Sequence, residues 1–340
     1  MSKDYTMDLF NTSFVREIKK LREKGVSDEK IVDIIQSADF SKPLLEIVQK
    51  KSEDNVDYFE KTMYERVLEE RAISAQFMAH NEQIWGKGFV ASEAMYILAI
   101  ESAQLYGEYL DAQPEKRLKE KEYRFLALRE IHSRACQQFL EIIYLMKAGF
   151  ADGAYARWRS MYELSVVAEF ICHNDEPVAK AFIEASATDD RWNDWAKAAP
   201  CLTHKKRVTF NDIQEQCDFS TDDWKKQYQL ANKVVHASPQ GTLGRLGNYV
   251  ETGALSAGHS DYGISTAAEH SAISLSIITT LYLTLLPYGD GLVHADSIRR
   301  WVDVVRKYYY EAEDKCFTET DVPKVTLIDG TVKKKRKFKE

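Results

Sequence analysis

Two ionisable residues lie four positions apart on a stretch that otherwise has the pattern of a buried helix. The stretch runs from about Asp152 to Cys172 and is apolar on nearly every side. Arg159 and Glu163 share one face of it with Tyr155 and Tyr162. Because an unpaired buried charge is strongly destabilising, we expect Arg159 and Glu163 to pair, with guanidinium donors left for a third group.

A second polar group follows one edge of the predicted helix Thr221–His236. Tyr228, Asn232 and His236 recur every four residues, so they lie one above another. His236 is predicted to be the last helical residue, where the helix dipole favours its charged form and its pKa can cross physiological pH. The apolar stripe of this helix consists of Trp224, Tyr228, Ala231 and Val235.

Two roles, one catalytic and one structural, suit the polar residues Arg159, Glu163, Tyr228, Asn232 and His236. In a metal-independent nuclease, His236 would act as general acid and base, and Arg159 would stabilise phosphate charge. Glu163 would orient Arg159, while Asn232 and Tyr228 would position the substrate. In a non-catalytic protein, Arg159, Glu163 and His236 would form a buried polar network that fixes the register of the helices.

No metal and no cofactor is expected. Helical di-iron proteins need E-x-x-H motifs, and Glu169-x-x-x-His173 has a different spacing. H-E-x-x-H, Walker A and G-x-S-x-G motifs do not occur in the chain. A four-ligand site from Cys172, His173, Cys201 and His204 is disfavoured, because two adjacent ligands on one helix do not readily share a tetrahedral centre.

The composition describes a globular chain with a large core. The chain has 340 residues, of which 44% are hydrophobic, so its core needs no disulfide or structural metal. Its five cysteines are an odd number and include no C-x-x-C pair, which is typical of a reducing compartment. We therefore expect a cytoplasmic protein.

Charge is distributed unevenly. The net charge is −7, and the tail Lys333–Glu340 carries +5, so the rest of the chain carries −12. An acidic body does not resemble a dedicated DNA-binding domain, whose footprint is basic. The basic tail suits contact with phosphate, a nuclear address or a solvated, frayed end.

The sequence predicts neither a signal peptide nor a membrane span. Met1–Phe10 has no apolar core. The uncharged run Ser271–Gly289 is interrupted by Pro287, and the ~24 Å that remains as helix is shorter than a hydrocarbon core. A buried core helix is the better interpretation.

Helical patterns follow one another along the chain, which predicts an all-α multi-helix bundle. One helix runs to about His80, Trp85–Gly88 breaks the pattern, and Phe89–Leu110 forms the next helix. Glu115–Ala148 reads as a single long amphipathic helix, and Ser220 with Asp223 predicts a capping-box-like helix start.

We expect three regions in the chain. They are an N-terminal helical region at 1–110, a helical core domain at 115–315 that carries the polar centre, and a tail at 316–340. In the tail, Asp329-Gly330 between two β-leaning runs predicts a C-terminal β-hairpin. The glycine-rich segment Gly241–Gly263 lacks helical pattern and suits either a lid near a site or a plain connecting loop.

Three separated motifs, in order, resemble a bacterial all-helical family catalogued only as a domain of unknown function. The first is the run Gly149–Glu163, in which small residues lead into R-S-hydrophobic-hydrophobic-E. The second is Pro177–Glu184, and the third is Y-x-x-x-N-x-x-V-H-A-S-P at 228–239, where the family often has Ser in place of Asn232. The resemblance covers roughly residues 120–290.

Membership would imply an all-α bundle with a polar centre of Arg159, Glu163 and His236, but no established activity. The family is more distantly similar to HEPN helical bundles, which include ribonucleases of bacterial defence and toxin systems. Their hallmark, R-x(4–6)-H on one helix, does not occur here, since no histidine has an arginine five to seven residues upstream. The link to those nucleases is therefore an analogy of fold.

Two functions from different classes remain. The first is a non-catalytic helical sensor or interaction module of a bacterial stress or defence system, with a protein partner or a homodimer. The alternative is a HEPN-like, metal-independent ribonuclease that uses His236 and Arg159. The acidic body favours the interaction module, and the glycine-rich segment after His236 favours the nuclease.

Overall fold

The structure is a computed structural model that describes residues 8–188, 192–236, 238–244, 246–247, 257–319, 325–326, 332–333 and 336–338. The fold is all-α, as predicted. It comprises two compact units, residues 1–73 and residues 74–340. The α-helices in the described residues are α1 (Asp8–Glu23), α2 (Asp28–Gln36), α3 (Ala38–Asp111), α4 (Glu115–Lys119), α5 (Glu122–Lys147), α6 (Ala151–His173), α7 (Glu176–Ala185), α8 (Phe210–Gln214), α9 (Asp222–Val235), α10 (Pro239–Leu243), α11 (Ile264–Thr284) and α12 (Gly289–Cys316).

The first unit contains α1, α2 and the beginning of α3. Ser27 is the N-cap of α2, and its hydroxyl accepts a hydrogen bond from the Lys30 amide at 3.4 Å. Asp28 and Glu29 lie in the first turn of α2, where carboxylates interact favourably with the helix dipole.

The core of the second unit is built around α11. This helix packs against α5, α6 and α12, and most of its residues are buried. Its many serines and alanines allow close packing, and the hydroxyls bond back into the structure: Ser274 Oγ accepts from the Trp158 indole at 3.1 Å. The uncharged run is thus a core helix, as predicted. None of the helices in the described ranges is both long and apolar enough to cross a bilayer.

The predicted break at Trp85–Gly88 is wrong, because α3, which is 74 residues long, continues through these positions. Trp85 and Phe89 are buried in the core. A Cβ atom built on Gly88 would lie 2.9 Å from the ring of Tyr309 on α12. The glycine therefore permits close approach of two helices, and the packing there offsets its low helix propensity.

The single helix predicted for Glu115–Ala148 is also divided in the structure. α4 ends at Lys119 and α5 begins at Glu122. The carboxylate of Glu176, from α7, accepts the Tyr123 amide at 2.8 Å and the Arg124 guanidinium at 2.6 Å. A residue about fifty positions away thus accepts hydrogen bonds from the first turn of α5, whose backbone amides have no partner within the helix. Hydrophobic periodicity does not reveal that contact.

A glycine also joins α5 to α6. Gly149 has φ +75°, and its amide and that of Phe150 bond the Met146 and Leu145 carbonyls at 3.0 and 2.8 Å. This is the Schellman arrangement that ends many helices with glycine. α6 then starts at Ala151, so the turn sets the direction of the helix that carries Arg159.

The C-terminal segment contains short strands: β1 (Phe317–Glu319), β2 (Val325–Thr326), β3 (Val332–Lys333) and β4 (Arg336–Phe338). β1 pairs with β4 and β2 with β3, both antiparallel. The turn Asp329-Gly330 lies outside the described residues, and pairings this short do not establish the predicted hairpin, which is unconfirmed. The three predicted regions are likewise untested.

The contact between Gly88 and Tyr309 generates the first prediction. Gly88→Ala is expected to destabilise the protein by about 1–3 kcal/mol, because the added methyl group overlaps a fully buried ring. Gly107→Ala on the same helix is the matched control: nothing lies within 4 Å of the position that its methyl group would take, so a gain of about 0.5–1 kcal/mol is expected from helix propensity. Urea unfolding measures both changes. Equal gains for the two variants would contradict the packing argument.

Candidate functional site

The candidate residues lie where α6 packs against α9. The two helices run antiparallel, since Tyr155 contacts Gln227, whereas Tyr162, further along α6, bonds Ser220 before α9 begins. The Tyr155 hydroxyl donates to Gln227 Oε1 at 2.8 Å. Tyr155 and Tyr162 are both buried, so they form the apolar wall behind the polar residues of this interface.

Arg159, Glu163 and Tyr228 form one hydrogen-bonded group at this interface. Arg159 Nη2 lies 2.8 Å from Glu163 Oε1, and the Tyr228 hydroxyl donates to the same oxygen at 2.6 Å. The guanidinium also lies over the Tyr228 ring, 5.5 Å from its centroid. The predicted Arg159–Glu163 pair is thus present, and Tyr228 on α9 is its third member.

Burial of this group is partial. The side chains of Arg159 and Glu163 are 27% and 32% exposed, so the two charges are less buried than the helix that carries them. The reason is the position of the two residues at the edge of the apolar face of α6, where the long side chains extend toward solvent. Burial, followed by the neighbouring Glu163 carboxylate, raises the pKa of Tyr228 to about 12.

Two buried atoms of the interface have no hydrogen-bond partner in the described part of the chain. They are Nε of Arg159, a donor, and Oδ1 of Asn232, an acceptor. Asn232 lies one turn after Tyr228 on α9, as the spacing predicts. The network therefore has unused hydrogen-bonding capacity, although its charged pair is complete.

His236 lies apart from this group. It follows the last helical residue and has extended backbone angles, φ −89° and ψ 147°, so its predicted place inside the helix is wrong. It lies eight positions after Tyr228, about 12 Å along the axis of α9 at 1.5 Å per residue. Because α6 and α9 are antiparallel, this displacement is toward the start of α6 and away from Arg159. Val235, predicted in the apolar stripe, is 45% exposed.

The side chain of His236 is exposed, and among the described residues it makes no hydrogen bond or ion pair. Its backbone amide donates to the Asn232 carbonyl at 3.0 Å, which ends α9. The interface thus holds an internally neutralised pair and a neutral tyrosine, and the ring of His270 packs behind them on Tyr155 and Trp158, with centroids 5.7 and 4.8 Å away. The catalytic roles assigned from the sequence remain predictions.

The predicted capping box at the start of α9 is wrong. Thr221 is the N-cap, and no side chain caps the helix there. The hydroxyl of Ser220 instead bonds the Tyr162 hydroxyl at 2.7 Å, and Gln214 donates to that hydroxyl at 2.6 Å. A buried tyrosine hydroxyl needs hydrogen-bond partners. Because the Ser220 hydroxyl bonds Tyr162, it does not cap α9.

The glycine-rich segment is anchored where it is described. The carboxylate of Asp152 accepts the amides of Leu246 and Gly247 at 2.8 and 3.2 Å. His259 stacks on Phe77 at 4.9 Å, between ring centroids. Residues 248–256 lie outside the described residues, so the choice between lid and connecting loop is untested.

Sequence reasoning missed another polar group, at the end of α6. One ligand atom each from Glu169, His173 and Asp218 lies within 4.8 Å of the other two. Burial raises the pKa of Glu169. The i, i+4 spacing of Glu169 and His173 was visible in the sequence, but only the fold brings Asp218 to them.

The network makes the stability effect of Tyr228→Phe predictable. Loss of the hydroxyl removes its bond to the Glu163 carboxylate while the Arg159 pair remains, so a loss of about 1–2 kcal/mol is expected. Tyr144→Phe is the control, since Tyr144 is 65% exposed, and it should change stability by less than about 0.5 kcal/mol. Equilibrium unfolding in urea gives both values. Equal stability of the two variants would show that the Tyr228–Glu163 hydrogen bond contributes nothing to stability.

Comparison with known proteins bears out part of the resemblance. No curated protein and no solved structure gives a significant match. The HEPN-like resemblance is not confirmed. Residues 125–200 match a family model described as a family of unknown function (DUF5677). The matched range includes all of α6 with Arg159 and Glu163, whereas Tyr228 and His236 lie outside it.

Proposed function

We propose that the protein is a non-catalytic helical interaction module whose partner is a second copy of the same chain. The observation that carries this proposal is a row of exposed apolar side chains on α3. The row, which we call the α3 stripe, consists of Leu45, Val48, Val56, Phe59, Met63, Val67 and Ile73.

The α3 stripe has the geometry of a contact surface. At 100° per residue its seven members lie within an arc of about 120°, and each is at least 40% exposed. The stripe spans 29 residues, about 43 Å of helix. Arg66 and Glu70 fall within the same arc and interrupt the row near its C-terminal end. Exposed apolar side chains aligned on one face mark interaction sites in native proteins.

A second copy suits the stripe because the same helix supplies a surface of matching length and chemistry. Acidic and basic residues both flank the stripe, including Lys51, Glu60 and Glu69. Helices with this pattern associate side by side, with the apolar stripe buried and the charges at its margins. Packing of this kind is also what stabilises long helices in water.

The polar interface of α6 and α9 fits a structural role in such a module. Arg159 and Glu163 neutralise each other, and Tyr228 ties them to α9. A network with these contacts fixes how one helix lies on the other. Assignment to a bacterial stress or defence system rests on the sequence resemblance alone and remains a prediction.

The nuclease is the second candidate, because a general acid–base group must reach its substrate and His236 is exposed. Its separation from Arg159 along α9 weighs against a shared active site. A positioned acid–base residue needs hydrogen-bond reach of the reacting group, and that geometry is absent from the described residues.

Self-association through the α3 stripe can be tested by charge substitution. The full chain is expected to show twice its monomer mass in analytical ultracentrifugation at micromolar concentrations, and Met63→Glu with Val67→Glu should return it to monomer. Leu68→Glu is the matched control, because Leu68 is 60% exposed on the opposite side of α3 and should leave the dimer intact. A monomeric wild type, or equal loss in the control, would refute the proposal.

An assay of RNA and DNA cleavage without added metal distinguishes the two candidate functions. We expect no cleavage by the purified protein. We also expect His236→Ala to leave the melting temperature unchanged, since its side chain is exposed. Arg159→Ala should lower the melting temperature, because it leaves the half-buried Glu163 carboxylate without its cation. Cleavage that disappears in both variants while they stay folded would establish the nuclease instead.

A further inference from the structure

The C-terminal end of α6 brings together three side chains that share no partner in the polar interface described above. Glu169 and His173 lie one turn apart on α6, and Asp218 comes from the segment between α8 and α9. One carboxylate or imidazole atom from each lies within 4.8 Å of the others. Two of the three, His173 and Asp218, are exposed.

Glu169 is the unusual member of this group. Its residue is only 6% exposed, and its Oε2 atom is buried without a hydrogen-bond partner among the described residues. A carboxylate oxygen removed from water without a partner is costly, so buried carboxylates are normally paired, protonated or bound to a cation. The Cys217 thiol and the Asp218 amide donate to its carboxylate, but no lysine or arginine of the described residues forms an ion pair with Glu169.

We propose that Glu169, His173 and Asp218 form a binding site for one divalent transition-metal cation of the zinc type. An imidazole nitrogen with two carboxylate oxygens is a ligand set that zinc accepts, whereas Ca²⁺ and Mg²⁺ prefer oxygen ligands alone. Three protein ligands leave a fourth position of a tetrahedral site for water.

The distances suit a site that closes on its cation. In a tetrahedral site, zinc–ligand bonds of about 2.0–2.2 Å place two ligand atoms about 3.3–3.6 Å apart. Ligand atoms that lie within 4.8 Å of one another would therefore approach by at most about 1.5 Å. His173 and Asp218 are exposed and can rotate, while buried Glu169 provides the fixed ligand.

A bound cation would connect α6 with the segment that leads into α9. That segment already bonds α6 at Tyr162 through Ser220, and Gln214 at the end of α8 donates to the same hydroxyl. Because the ligands come from two elements that meet only in the folded chain, the cation should bind the native state and raise its stability by mass action. The proposal does not depend on self-association or on the nuclease alternative.

The test is a titration of untagged, full-length, metal-free protein with Zn²⁺ by calorimetry and thermal denaturation. One equivalent is expected to bind and to raise the melting temperature. Glu169→Gln and His173→Gln should each weaken this binding at least tenfold and remove the thermal shift. Titrations with Ca²⁺ and Mg²⁺ should show neither effect, because imidazole is a poor ligand for both.

Two controls exclude adventitious binding. His204→Gln removes an exposed histidine outside the group, and Cys201→Ser removes an exposed thiol. Both should bind Zn²⁺ as the wild type does. Glu169→Gln should fold without metal at least as stably as the wild type, because an amide is neutral when buried. Absence of saturable binding, its survival in Glu169→Gln and His173→Gln, or its loss in Cys201→Ser would overturn the proposal.

Discussion

Helix α6 is packed by α5, α11 and α9, and this burial determines where its polar side chains can lie. Tyr155, Trp158 and Tyr162 fill the enclosed sides and are almost completely buried. Each satisfies its polar atom through a specific partner, such as Ser274 for the Trp158 indole. Charged groups of α6 lie where this packing ends, and two of those places are the edge toward α9 and the C-terminal end.

The two polar groups of α6 occupy those two places and differ in how their charges are balanced. At the α9 edge, Arg159 and Glu163 neutralise each other within the helix, and Tyr228 adds a hydrogen bond from outside. At the C-terminal end, Glu169 has no cationic side chain bonded to it among the described residues. The first arrangement balances its charges internally, which fits a structural role, and the second leaves the buried Oε2 atom of Glu169 without a hydrogen-bond partner among the described residues.

The two parts of α3 show that one helix can satisfy its apolar residues in different ways. Near Gly88 the helix is buried against α12, and the absence of a side chain there allows the Tyr309 ring to approach. Between Leu45 and Ile73 the apolar residues form an exposed stripe. Intrinsic propensity does not distinguish these situations, since both depend on what lies beside the helix.

The amino-acid sequence by itself determined the helical class, the buried run of α11 and the pairing of Arg159 with Glu163. These features depend on periodicity within one helix, because residues four apart share a face whatever surrounds them. The Ser27 cap of α2 is local for the same reason.

Only the tertiary structure decided the features that depend on distant residues. The Glu176 carboxylate on α7 accepts the first backbone amides of α5, and the Tyr162 hydroxyl bonds Ser220, which therefore does not cap α9. The antiparallel packing of α6 and α9 places His236 toward the start of α6 and away from Arg159. The physical reason is that hydrogen bonds and close packing between elements far apart in the chain leave no periodic signal in the sequence.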